Sequence, residues 1–100
     1  MKIHLLSLAL DDLADGQDFY DRQNPGLGDY FLDSLYSDIE SLALYAGIHR
    51  RFRGYHRLLS RRFPYAIYYK LNNSTVEVWR VLDCRQDPRR TLAALRIYRY

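Results

Sequence analysis

Residues 63–82 read Phe-Pro-Tyr-Ala-Ile-Tyr-Tyr-Lys-Leu-Asn-Asn-Ser-Thr-Val-Glu-Val-Trp-Arg-Val-Leu. Phe63, Tyr65, Ile67, Tyr69 and Leu71 recur at every second position, the period of a strand with one face on a core. Thr75 to Leu82 is again rich in β-branched and aromatic residues, which suit a pleated surface. Asn72-Asn73-Ser74 between the two runs is turn chemistry, so they form a hairpin. Pro64 lacks an amide hydrogen and fits a strand entry better than a central ladder position. Tyr55 to Ser60 alternates as well. Three strands joined by connections this short must pair antiparallel.

Toward the N-terminus the period changes to helical. Leu27, Phe31, Leu35, Ile39, Leu42 and Ala46 follow one another at spacings of four and three, a continuous apolar stripe. Gly47 then suits a left-handed helix end. Asn24-Pro25-Gly26-Leu27-Gly28 is a tight break. Before it, Leu8 to Gln23 places Leu10, Leu13, Ala14, Gln17 and Tyr20 at helical spacing, with Asp11, Asp12, Asp15 and Asp18 on the polar side. Gly16 inside this helix costs about 1 kcal/mol relative to Ala, so the helix depends on packing. Two amphipathic helices joined so closely form an antiparallel hairpin. Ile3 to Ser7 reads as a short strand. Beyond the meander, Asp87 as N-cap and Pro88 at the first helical position start a helix through Leu92 and Leu95. Ile97 to Tyr100 stays open between strand, helix end and frayed tail, and Tyr98 and Tyr100 between packing and reaching a site. The expected fold is α+β: an N-terminal strand and helical hairpin packed on an antiparallel sheet, in the order β-α-α-β-β-β, with a short C-terminal helix. The 100 residues suit one domain, 1–100.

Charge divides the chain. Residues 1–46 carry two basic and nine acidic side chains; residues 47–100 carry thirteen basic and three acidic. A basic half attracts nucleic acid, nucleotide or an acidic protein, unless the two halves simply neutralise each other across the fold. The cations fall in three groups: Arg50, Arg51 and Arg53; Arg57, Arg61 and Arg62; and Arg80, Arg85, Arg89 and Arg90. If the meander forms, adjacent strands can bring them to one surface. Arginine grips phosphate or carboxylate bidentately and stacks on rings, and Tyr55, Tyr65, Tyr68, Tyr69 and Trp79 are interleaved with these positions.

Other classes find little support. One cysteine, Cys84, can make no disulfide within the chain, which fits a reducing cytoplasm. His4, His49 and His56 lack metal-ligand spacing, so no metal and no cofactor is expected. Pro25-Gly26-Leu27-Gly28 lacks the ending of a phosphate loop. The N-terminus is too short and too lightly charged for a signal peptide, and no apolar run reaches the roughly 20 residues of a membrane span.

Three blocks together are familiar: Asn-Pro-Gly-Leu-Gly-Asp-Tyr-Phe-Leu-Asp at 24–33, Arg-Arg-Phe-Pro-Tyr-Ala-Ile-Tyr-Tyr-Lys at 61–70, and Val-Leu-Asp-Cys-Arg-Gln-Asp-Pro-Arg-Arg at 81–90. In this order and spacing they resemble the ParE-like branch of the RelE/ParE toxin superfamily, across essentially the whole chain. The resemblance implies a cytoplasmic toxin of a bacterial type II toxin–antitoxin pair. Its partner is a cognate antitoxin, with operator DNA reached only through that antitoxin. ParE-like members are associated with inhibition of DNA gyrase by binding; RelE-like members cleave mRNA on the ribosome without a metal.

The RelE-like catalytic pattern has an Arg directly after the aromatic that aligns with Tyr65, where this chain has Ala66. It has a basic residue after the last strand, which Arg85 fits, and a Tyr near Thr91, which this chain lacks. The resemblance therefore favours a gyrase-binding inhibitor. A nuclease, with Arg61, Arg85 and His56 in its site, and an inactive antitoxin-binding member are the alternatives. The expected target- or nucleic-acid-binding residues are Arg57, Arg61, Arg62, Arg80, Arg85, Arg89 and Arg90. Those expected to bind antitoxin are Phe31, Leu35, Tyr65, Tyr68 and Trp79.

Overall fold

The structure, a computed structural model, describes residues 1–96; the expectations for Ile97 to Tyr100 lie outside the described residues. The elements are β1 (Lys2–Leu5), α1 (Ser7–Gln23), α2 (Leu27–Glu40), α3 (Leu42–Tyr45), β2 (Arg51–Phe52), β3 (Tyr55–Leu59), β4 (Tyr65–Asn72), β5 (Thr75–Asp83) and α4 (Pro88–Arg96). The sheet order is β1-β5-β4-β3-β2. The meander β3-β4-β5 is antiparallel as expected, and the turn at Asn73 uses a positive φ of 56°, which Asn tolerates. The sheet as a whole is mixed, because β1 lies parallel to β5 at one edge, Lys2 beside Thr75 and Leu5 beside Val78. The two-residue β2, formed from the basic connection, is the other edge.

One bulge sets the packing of β5. Tyr69 pairs with Val78 and Tyr68 with Arg80, leaving Trp79 as the extra residue. The alternation slips there, so Val76, Val78 and Val81 all join the core on the helical side. Tyr65, Ile67 and Tyr69 of β4 join the same core. Ala66 and Tyr68 face the other way, into a second cluster with Tyr55, Leu82 and Leu95 of α4. The central strand is therefore covered on both faces.

The helical hairpin buries Phe31, Leu35, Ile39 and Leu42 as the stripe predicts. The expected helix over 27–46 is interrupted at Ser41, whose hydroxyl donates to the Asp38 carbonyl at 2.6 Å and competes with the helical ladder. In α1 the buried face is Ala9, Leu13, Gly16 and Tyr20; Leu10 and Ala14 point to solvent, contrary to the expected stripe. The reason is Gly16. A Cβ there would lie 2.5 Å from Cζ of Phe31, so the missing side chain is the socket for that ring. Gly28 brings the helices together in the same way: its Cβ would lie 2.5 Å from the Gln17 carbonyl oxygen. Asp21 of α1 then accepts hydrogen bonds from the amides of Gly26 and Gly28, at 3.0 and 3.2 Å, and supplies the cap that α2 lacks at its own start.

Behind β4, Tyr69 organises the link from α3 to β2. The Gly47 amide donates to its hydroxyl at 2.9 Å, and His49 Nδ1 lies 2.6 Å from the same oxygen. His56 stacks on the Tyr69 ring, and its Nδ1 lies 3.0 Å from the His49 carbonyl. Burial first, and His56 second, hold the His49 pKa below its ordinary value. The unfolded chain then binds a proton that the folded chain resists, so this contribution to stability is complete above the ordinary histidine pKa and is lost as the pH falls below it. Urea midpoints measured between pH 7.5 and pH 5, roughly the span over which histidine changes charge, should show an acid-side decline that His49→Gln reduces. An unchanged slope in the variant would remove His49 as its source.

Candidate partner-binding surface

The ion pairs among the described residues join Arg80 to Asp12, Arg85 to Asp83 and Arg89 to Asp87. Each ties an expected target-binding arginine to this chain's own acid. Arg80 is the most committed: Nε and Nη2 donate to Asp12 at 2.8 Å each, and Nη1 donates to the Ala94 carbonyl at 3.3 Å. Its side chain is 14% exposed, so it joins α1, β5 and α4 and offers little to a partner. Arg85 donates to both carboxylate oxygens of Asp83 and to the Tyr20 hydroxyl, with its guanidinium beside Phe19. The hydrogen bond to Asp83 raises the Arg85 pKa, and the Arg85 hydrogen bonds outweigh burial to lower that of Asp83. Arg89 with Asp87 is an exposed pair at the start of α4, where Asp87 accepts from the Arg89 amide as the expected N-cap. Arg90 lines a cleft whose walls include Asp12 and Asp15. Much of the expected cationic surface is thus paired with acids of the same chain.

Of the residues named for a nuclease, Arg61 and Arg85 lie in neighbouring loops, joined by the Cys84 amide donating to the Pro64 carbonyl at 2.7 Å, and His56 lies farther along the sheet. His56 is on β3 opposite Tyr69 and packs on the helical side of the sheet. Arg61 is in the loop before β4, its amide donating to buried Asp38 at 3.3 Å beside the Ser60 hydroxyl. Arg85 follows β5 and is held against α1 by Tyr20. Arg62 is exposed in the same loop as Arg61. Burial first, with Asp83 adding, pushes the Tyr65 hydroxyl up to about 12, so it is a poor proton acceptor near neutral pH.

The residues expected to bind antitoxin differ in burial. Phe31 and Leu35 are completely buried, and Tyr65 and Tyr68 are 7% and 3% exposed. Tyr65 and Tyr68 line clefts, whereas Phe31 and Leu35 sit wholly in the core. Tyrosine's polar tip made β4 read as a surface strand, but α4 closes its second face. Trp79, at the bulge, is half-buried.

What remains is a surface made by β2, β3 and the start of α4. Arg50, Arg51, Arg53 and Arg57 take part in none of the ion pairs among the described residues. Arg57 is half-buried on the face away from the helical hairpin. Its Nε donates to the Tyr68 hydroxyl at 3.2 Å, Nη2 lies 3.8 Å from Cys84 Sγ, and Cζ lies 5.9 Å from the Phe52 ring centre. Farther along, the Lys70 ammonium lies 4.7 and 4.8 Å from the ring centres of Tyr55 and Trp79. Two clefts, of about 230 and 340 Å³, meet at Arg57 and Phe52. The alternation of Tyr55, Arg57 and Leu59 on β3 was the available sequence signal for this face. Among the described residues no group of three or more His, Cys, Asp or Glu is placed to hold a metal ion, and no helix is long and apolar enough to cross a membrane.

The molecule so described is a small α+β protein with a helical hairpin on one sheet face and a basic, cleft-bearing other face. The family described as the ParE toxin of the parDE type II toxin–antitoxin system matches residues 3–88. This chain belongs to that family. Among solved structures, the chromosomal ParDE TA system from P. aeruginosa contains a similar chain: the TM-score is 0.75 at 19% identity, over 81% of this chain and 92% of that one. At that identity the likeness speaks for the fold. No curated protein matches the sequence.

Proposed function

We propose that this toxin acts in the cytoplasm by binding DNA gyrase, that a cognate antitoxin neutralises it, and that it meets operator DNA only through that antitoxin. The observation that supports binding over catalysis is the position of His56: it sits opposite Tyr69, while Arg85 follows β5 at the other end of the β4 pairing, where Tyr65 faces Asp83. Phosphodiester cleavage needs charge stabilisation and proton transfer at one point. Arg85 is held by Asp83 and Tyr20, while His56 sits against Tyr69. A binding surface needs no such convergence, and the cations of β2 and β3 support one that takes an acidic macromolecule.

The test is induction of the full chain without its antitoxin, with plasmid supercoiling and transcript integrity followed in parallel. Growth arrest with lost supercoiling and intact transcripts is the expected result. Cut transcripts carrying 2′,3′-cyclic phosphate ends, with supercoiling unchanged, would replace this reading with the nuclease, in which Arg85→Ala should abolish cleavage and spare antitoxin binding. Growth without any defect would mark an inactive antitoxin-binding member.

A further inference from the structure

Between α4 and the turn that joins β2 to β3 lies a cavity of about 350 Å³. That is within the roughly 300–1,000 Å³ of ordinary small-ligand pockets. Tyr55, at the start of β3, and Leu92 and Leu95 of α4 supply its apolar wall. The Tyr55 hydroxyl donates to the Leu95 carbonyl at 3.1 Å, so this wall is tied across two elements and holds its shape without a ligand. Arg53, Lys70 and Arg96 line the same cavity, from the turn, from β4 and from the end of α4. No acidic side chain is among the lining residues described. The cleft between α1 and β5 is the opposite case, since Arg80 and Arg90 share its walls with Asp12, Asp15 and Asp83.

Arg53, Lys70 and Arg96 take part in none of the ion pairs among the described residues. The acid opposite Lys70 on β5 is Glu77, and its carboxylate accepts from Asn72 Nδ2 at 3.5 Å. The Lys70 ammonium lies instead against the rings of Tyr55 and Trp79, which position its charge without neutralising it.

The turn adds an independent observation. Phe52 pairs with Tyr55, which leaves Arg53 and Gly54 as a two-residue loop, and both have positive φ, 54° and 87°. A hairpin turn of this form takes Asn-Gly or Gly-Gly with least strain. At Arg53 the chain bears a left-handed backbone that a Cβ disfavours. A strained cation beside a cavity argues for a task of its side chain. Three cations from three separate elements suit a phosphate monoester, which carries about −1.5 to −2 charge near neutral pH and offers three acceptor oxygens. A carboxylate has one charge and two oxygens in a plane.

We propose that this cavity binds a small phosphomonoester whose other end is a flat or apolar ring, a nucleoside monophosphate being the common form. Arg53, Lys70 and Arg96 hold the phosphate, and the ring lies along Tyr55, Leu92 and Leu95. Such a site stands whether or not the chain binds gyrase.

The probe is adenosine 5′-monophosphate, titrated into the full ¹⁵N-labelled chain, with adenosine and inorganic phosphate run in parallel. The nucleotide should bind saturably, move the Gly54 amide and Arg53 Nε–H resonances, and weaken with salt. Adenosine and phosphate, each offering one part of the contacts, should both bind more weakly. Arg53→Asn should weaken nucleotide binding by about two- to fivefold, the scale of one exposed charge pair. The same variant should raise the urea midpoint, since Asn accepts a positive φ more readily than Arg, and its loss of binding is then not a loss of fold. Lys70→Met should weaken binding by at least as much. Arg22→Gln, on α1, should bind as the parent does.

Equal binding of the nucleotide and adenosine would overturn the proposal, because the phosphate would then have no site. So would inorganic phosphate that binds as tightly as the nucleotide, which would leave the apolar wall without a role. Nucleotide binding that neither Arg53→Asn nor Lys70→Met changes would place the ligand elsewhere and overturn it as well.

Discussion

Asp12→Ala should destabilise the protein by roughly 3 to 5 kcal/mol, the range for breaking a buried ion pair by removing one partner. Asp12 accepts two hydrogen bonds from Arg80 and a third, at 2.9 Å, from the Val81 amide. Side-chain exposure is only 11% for Asp12 and 14% for Arg80, so solvent replaces little of what is lost. The backbone bond matters as much as the charges. β1 ends at Leu5, opposite Val78, and β5 continues to Asp83 with β4 on one side and, among the described residues, no strand on the other. Asp12 satisfies the edge where the neighbouring strand has stopped. Because Arg80 also reaches the Ala94 carbonyl, the variant should loosen α4 as well.

Against a total stability of about 5 to 15 kcal/mol, a loss of this size is a large share of what holds the fold. Much of the loss should return in Asp12→Leu/Arg80→Leu, which removes the stranded cation along with the acid. Urea unfolding of the parent and both variants tests this. A single variant within 1 kcal/mol of the parent, small on the scale of a broken buried pair, would show that the network is not structural.

Gly28→Ala should lower stability by about 2 kcal/mol, although alanine at an ordinary helical position gains about 1 kcal/mol over glycine. The added Cβ would meet the Gln17 carbonyl oxygen at 2.5 Å and the Asp21 Cβ at 3.0 Å. A backbone oxygen cannot rotate away, so α1 and α2 must separate. Separation also lengthens the bonds from the Gly26 and Gly28 amides to Asp21. Gly16→Ala acts on the same interface through the Phe31 ring, which is fully buried among Tyr20, Phe63 and Tyr65 and has little room to yield. Both variants should shift the urea midpoint down with little change in the denaturant slope. A midpoint equal to the parent's would mean that the hairpin accommodates a methyl group without strain.

These two sites also show what local sequence conceals. The α2 stripe from Phe31 to Leu42 was legible because every buried position is a large apolar residue. The α1 face was misplaced by one position, since Gly16 and Ala9 bury themselves without looking hydrophobic while Leu10 does the opposite. The meander declared itself through alternation and turn residues. The parallel pairing of β1 did not, because its partner is set by tertiary packing and leaves no mark in either segment. The arginines could be counted in advance but not sorted. What separates Arg80 from Arg57 is an aspartate 68 positions away from Arg80 that no spacing rule connects to it. Tyr65 and Tyr68 were read as contact residues, whereas Tyr65 packs under the helical hairpin and Tyr68 under α4.

The placement of β1 has a consequence in time. Lys2 to Leu5 pair with Thr75 to Val78, so the first strand made waits for one of the last. At a synthesis rate of about 5 to 20 residues per second, roughly 4 to 15 seconds separate their translation. Until then the N-terminal helices have no finished sheet to pack on. Pairing across so long a loop also folds slowly compared with local contacts. The sheet therefore stays incomplete until β5 has been made, and β1 has no partner strand in the interval.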